Sequence, residues 1–282
     1  MLRMLLSLAS ILLAHAAGAD VQRVSDLSFE RVVLHGAGKL QVRQGVQPIL
    51  TIKGDDEELD KGAFYLDGDT LFLGRGGKMR SNVSGVDFML TVEKLTHLKL
   101  LGTGNIYVKP LEVEDLYVAL DGSGDIKMFS VRAKDLTLQL SGPGDIQAVE
   151  LFAEDLNVVL SGSGEIHLGE VVAKDAEFSL KGSGGITVQK SGVLDSLDIK
   201  IVGSGDVNLE PVDSDEVEIN IMGSGDATVH ARSELEVGII GSGDVYYSGE
   251  PNIDQSILGS GDLHRRQPHK SIEQREQSTR VD

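Results

Sequence analysis

Apolar and polar residues alternate along most of this chain with a period of two, and the alternating block is itself rewritten about every 20 residues. The clearest copy is Leu116 to Met128, LYVALDGSGDIKM, centred on Gly-Ser-Gly followed by an acid. The first glycine of that centre recurs at Gly102, Gly122, Gly142, Gly162, Gly182, Gly203, Gly223, Gly241 and Gly259, at intervals of 20, 20, 20, 20, 21, 20, 18 and 18. Two residues before it stand Leu100, Leu120, Leu140, Leu160, Leu180, Ile201, Ile221, Ile239 and Ile257. Four before stand Leu98, Val118, Leu138, Val158, Phe178, Ile199, Ile219 and Val237; four after stand Ile106, Ile126, Ile146, Ile166, Ile186, Val207, Ala227, Val245 and Leu263. Period-two alternation is the pattern of a strand with one buried face.

Nine residues after the glycine comes a third apolar column: Leu111, Val131, Leu151, Val171 and Val212. Three short strands and three corners in about 20 residues predict an all-β, three-sided parallel β-helix, a solenoid in which each coil lies about 4.8 Å above the last. The competing architecture is an array of antiparallel hairpins, because Gly-Ser-Gly can also close a hairpin. The third column favours the helix, since a hairpin array has no use for it. The shorter intervals after Gly223 and Gly241 predict coils that lose residues from the third side.

Ahead of the regular repeats, residues 20–95 read as N-terminal capping coils. Val32 to Val42 matches the later template, and Phe64 to Leu73 is broken by the turn Asp67-Gly68-Asp69. The 66 residues between Gly36 and Gly102 leave room for roughly three irregular coils. Regular repeats fill 96–263, and the polar stretch 264–282 is expected to be disordered. Residues 1–19 read as a secretory signal: Arg3, an apolar run from Leu5 to Leu13, and Ala17-Gly18-Ala19 before Asp20. That run is too short for a transmembrane anchor. The mature chain is expected outside the cytoplasm, periplasmic or extracellular, and monomeric.

Composition then narrows the chemistry. With no Cys, the chain has neither disulfides nor thiol chemistry, and only 4% of residues are aromatic, none of them Trp. A formal charge of −18 argues against nucleic acid and against anionic membrane as partners. His35, His97, His167, His230, His264 and His269 show no pair at metal-ligand spacing. The serines of the Gly-Ser-Gly corners lack the strand-to-helix elbow of a nucleophile. No residue stands out as catalytic, cofactor-binding or metal-ligating.

Two acidic columns remain. One follows the corner (Asp125, Asp145, Glu165, Asp206, Asp226, Asp244, Asp262), and the other precedes a strand (Asp115, Asp135, Asp155, Asp175). The expectation is that these carboxylates accept backbone N–H bonds at their turns. Weak, non-selective cation binding is the most they would add.

The leader, the segment Phe29-Glu30-Arg31-Val32 and the recurring GSGD corners together resemble the bacterial head GIN domain family of auto-transporter adhesins. The resemblance spans roughly Val24 to Leu263. It implies a β-helix and export, and it brings no catalytic residues. The expected function is therefore a non-enzymatic scaffold for a surface or envelope partner, protein or polysaccharide. The rival class is a polysaccharide lyase or hydrolase, which β-helices also carry. Such enzymes need long loops, aromatic platforms and basic residues, whereas the corners here are minimal.

Overall fold

The computed structural model describes residues 11–16, 19–60, 62–74 and 85–267. Strand pairing decides between the two architectures. Leu120, Leu140, Leu160, Leu180, Ile201, Ile221, Ile239 and Ile257 lie side by side in one parallel ladder. A second parallel ladder runs from Ile106 through Ile126, Ile146, Ile166, Ile186, Val207, Ala227 and Val245 to Leu263. The third side stacks Leu111, Val131, Leu151, Val171, Gly192 and Val212. These columns meet inside a single continuous core. A lone coil could not bury its inward row; each is stable because like residues cover it above and below.

The glycine corners hold the coils at ladder distance. Gly223 has a φ of 139°, and a Cβ there would stand 2.1 Å from the Gly203 carbonyl oxygen of the preceding coil. Gly225 meets the Gly205 oxygen at the same distance. The first glycine is thus required twice, by conformation and by contact, and the second by contact alone. The close approach is used: the amides of Ser224 and Gly225 both donate to the Gly203 oxygen, at 2.8 and 3.2 Å.

The N-terminal region departs from the expected run of capping coils. Its strands are β1 (Ile11–Ala16), β2 (Ala19–Val24), β3 (Arg31–Gly36), β4 (Lys39–Gln44), β5 (Ile49–Gly54), β6 (Phe64–Asp67), β7 (Thr70–Leu73) and β8 (Asp87–Val92), with one helical turn at Asp56–Leu59. β3 and β4 form a regular coil whose neighbour on one side is His97–Val108. On the other side β3 pairs with β7 and β4 with β8, all parallel. The chain therefore leaves the stack after Gln44, builds one further coil outside the first, and re-enters at His97. One parallel coil occupies the gap where about three were expected. The remaining residues run antiparallel instead: β6 on β7, β5 on β8, β2 on β5 and β1 on β2. These strands and the helical turn cover that end of the core, where Leu27, Phe29, Leu59 and Ala63 are buried, and among the described residues they leave the short strand β6 as an edge.

Smaller departures follow the spacing. The 21-residue coil inserts its extra residue before the third side, so Gly192, not Ser191, takes the apolar column between Val171 and Val212. Where the first 18-residue coil begins, register shifts fall between Asn208 and Asp213 and between Ser214 and Glu216. The lost residues come from the third side, as the spacing predicts. The final strand, Leu263–Arg265, takes His264 and Arg265 out of the expected disordered tail. Strand β1 lies within the expected leader; residues 1–10, 17–18 and 268–282 lie outside the described residues.

Candidate binding face

The outer surface of the first side, the one whose inward ladder runs from Leu120 to Ile257, carries three columns between its inward ones. Nearest the corner, Val202, Met222, Ile240 and Leu258 stand in successive coils, 43, 56, 53 and 71% exposed. The next outward column is Lys200, Asn220, Gly238 and Ser256, and beyond it come Asp198, Glu218, Glu236 and Asp254. The ridge, the middle column and, from the acidic column, Glu236 and Asp254 line an open groove of about 610 Å³. Its floor is the middle column, lowest at Gly238, where a Cβ would meet the Asn220 side-chain oxygen at 2.7 Å. One wall is an apolar ridge and the other is a row of carboxylates. Lys200 is engaged by Asp198 at 2.8 Å and Glu177 at 3.1 Å, and those hydrogen bonds raise its pKa.

Sequence reading missed this ridge because each member is a single apolar residue beside a glycine. The signal was present in their spacing of 20, 18 and 18, the same as the corners they adjoin.

The corner acids hold the stack together by a route different from the expected local turn. Asp145 accepts the amide of Glu165 at 3.1 Å, Asp206 that of Asp226 at 2.9 Å, Asp226 that of Asp244 at 2.8 Å, and Asp244 that of Asp262 at 2.9 Å. Each carboxylate thus reaches the equivalent residue one coil on. The other acidic column behaves otherwise. Asp115, Asp135, Asp155 and Asp175 pair directly in register. A side-chain hydrogen bond with Asp135 raises the pKa of Asp115; desolvation, then Asp135, raises that of Asp155. Among the described residues no group of three or more His, Asp or Glu is arranged to hold a metal ion.

The histidines are dispersed on the surface. His97 faces Arg31 at 2.9 Å, and burial followed by the Arg31 charge lowers its pKa. His167 lies 2.8 Å from Glu165, His35 stacks on Phe72, and His264 stacks on Tyr246. His269 lies outside the described residues. Asp213, His230 and Ser248 do align in successive coils, with the His230 ring 2.8 Å from the Ser248 hydroxyl and 3.8 Å from the Asp213 carboxylate. Ser248 is only 2% exposed, and the Asp213 contact exceeds hydrogen-bond length, so the trio lacks the reachable nucleophile and oriented base of a hydrolase.

The family model described as "Putative auto-transporter adhesin, head GIN domain" matches residues 28–208 and 187–251. The chain belongs to this family. No curated protein sequence matches this GIN-domain chain. Among solved structures it is similar to a "putative adhesin" from Parabacteroides merdae, with a TM-score of 0.66 and 20% identity over 89% of this chain and 97% of that one. A "putative lipid binding protein" from Parabacteroides distasonis gives a TM-score of 0.64 at 21% identity, over 89% and 97%. A second protein from that organism, a "putative adhesin", gives 0.61 at 21%, over 88% and 97%. At such identities the likeness establishes the solenoid fold and nothing finer. Among the described residues no helix is long and apolar enough to cross a membrane.

Proposed function

We propose that this GIN-domain protein is an exported, non-catalytic binding scaffold whose first-side groove takes a basic amphipathic protein segment. One observation carries the reading: the apolar ridge Val202, Met222, Ile240 and Leu258 and the carboxylates Glu236 and Asp254 line one open groove. An extended or helical segment with apolar residues on one edge and Lys or Arg on the other would cover the ridge and meet the acids together. Burying that ridge supplies affinity at roughly 25 cal/mol per Å² of apolar surface, less the cost of ordering the segment. The acids supply register and on-rate. They also oppose an anionic lipid surface, so the lipid-binding description of one structural neighbour fits this face less well than a protein partner.

A dye-labelled peptide of alternating Leu and Lys tests the groove. We expect saturable binding that weakens as salt rises and falls at least tenfold in Met222→Asp. Equal binding to that variant would place the contact elsewhere. Export is tested by mass spectrometry of the secreted or periplasmic chain, expected to begin near Asp20; an intact Met1 there would count against it. Turnover of acidic polysaccharide by the purified protein would overturn the non-catalytic reading in favour of a lyase or hydrolase.

A further inference from the structure

The two ends of the solenoid are built differently. At the N-terminal end antiparallel strands close the stack. At the other end the last full strand, Asn252–Gly259, pairs among the described residues on one side only, with Glu234–Gly241, and all eight of its residues are exposed. Its inward row is Ile253, Gln255 and Ile257, standing over the buried Leu235, Val237 and Ile239. Two apolar side chains that would be core in any earlier coil are thus left uncovered. A polar one, Gln255, stands between them where every preceding coil has an apolar residue.

That row is symmetric about Gln255. If a second copy of the strand is laid antiparallel with Gln255 opposite Gln255, Ile253 falls opposite Ile257, and Ile257 opposite Ile253. Residues directly opposite in an antiparallel pair share a face, so both isoleucine pairs are turned inward and the two amides meet on the axis. In the same register Asp254 falls opposite Ser256, not opposite its own copy. The charge agrees. The chain as a whole is −18, but residues 252–267 contain two acids (Asp254, Asp262) and two arginines (Arg265, Arg266), net zero, so like-charge repulsion between two such ends is weaker than the chain's overall charge would give. An isologous contact uses the same strand of both copies, so it closes at two.

We infer that the protein pairs tail to tail through Asn252–Gly259 as a two-fold dimer, in place of the monomer expected from sequence. The first sides of both copies become one continuous sheet, with their outer faces on the same side. This inference does not depend on what the groove binds. If the groove reading also holds, the dimer presents two grooves to one surface and gains avidity.

Sedimentation of the full exported chain is expected to give about twice the mass of one copy, more completely at higher salt, which screens the acidic bodies from each other. A Cys in place of Gln255 would lie opposite its own copy at about 4.5–5.5 Å between Cα atoms, within disulfide reach. Because the chain has no Cys of its own, oxidised Gln255→Cys should run as a covalent dimer on a non-reducing gel, and Ser196→Cys on the side wall should not. Ile257→Lys should sediment as a monomer and keep the circular dichroism of the folded parent. A single-copy mass for the unmodified chain at all concentrations would overturn the inference. So would a dimer that persists in Ile257→Lys without crosslinking in Gln255→Cys, or dimers that appear only when the chain is cut after Gln267, which would make residues 268–282 the native cover.

Discussion

At the scale of single residues, the corners and the acidic columns carry most of what is specific to this fold. Gly241 combines a φ of 138° with a Cβ position 2.1 Å from the Gly223 oxygen, whereas Gly68, also at positive φ, has open space around its Cβ position. Gly241→Ala is therefore expected to cost about 3 kcal/mol or more, because backbone must move, and Gly68→Ala about 1 kcal/mol. Urea unfolding of the two variants measures the difference. Asp226 bridges coils by accepting the Asp244 amide. Asp226→Ala should lose about 1 kcal/mol and Asp226→Asn clearly less, since the amide oxygen still accepts and a like charge leaves the column. The same melts decide it; equal losses would make the charge itself the stabilising feature. In the other column the sign is opposite. Asp115 and Asp155 have raised pKa values in the fold, so their contribution is fully present below the ordinary carboxylate range and is lost as pH rises through the raised values. Asp135→Asn should therefore melt higher than the parent at pH 7, with the gap narrowing toward pH 4. A gap that does not depend on pH would mean the carboxylates do not share a proton.

At the scale of the element, the unit is the coil and its register. Removing Gly142 to Ser161, one 20-residue interval, joins Ser141 to Gly162 in the place of its register equivalent Ser161 and keeps every inward column aligned. The product should fold cooperatively with a modest loss of melting temperature, since nearest-neighbour contacts are all that is shortened. Removing 11 residues from the same stretch shifts apolar residues to the water-facing side and should abolish the cooperative melt. Circular dichroism melts of both deletions compare them directly. The regular coils were legible because their inward positions keep fixed offsets from the corner glycine, from Leu98 to Leu263. The N-terminal coil was not, because β7 and β8 are in register with β3 and β4 while preceding neither of them in the stack order that chain order implies.

At the scale of the whole molecule, the ends decide solubility. The Asn252–Gly259 strand puts Gln255 in the middle of its inward row, but the strand beneath it presents Leu235, Val237 and Ile239, all apolar and without a dyad amide. Ending the chain after Glu250 uncovers that row. Such a truncation should scatter light and associate without a defined stoichiometry, where the full chain gives one species. Light scattering during purification reports it, and a discrete soluble truncated protein would show that the last coil is dispensable as a cover.

Sequence by itself determined the coil. A repeat of strand-period alternation with glycines at one fixed place can bury its apolar positions only by stacking like on like, so fold class, inward residues and the side that shortens after Gly223 all followed from spacing. Tertiary structure alone decided what depends on residues distant in the chain. It placed a later coil outside an earlier one and sent the corner carboxylates to the next coil's amide and not to their own turn. It also lined up Val202, Met222, Ile240 and Leu258 into one wall of a groove. Alternation records which face of a strand is dry. It does not record which strand lies alongside, because the energy of that choice belongs to pairs of residues that only the folded chain brings together.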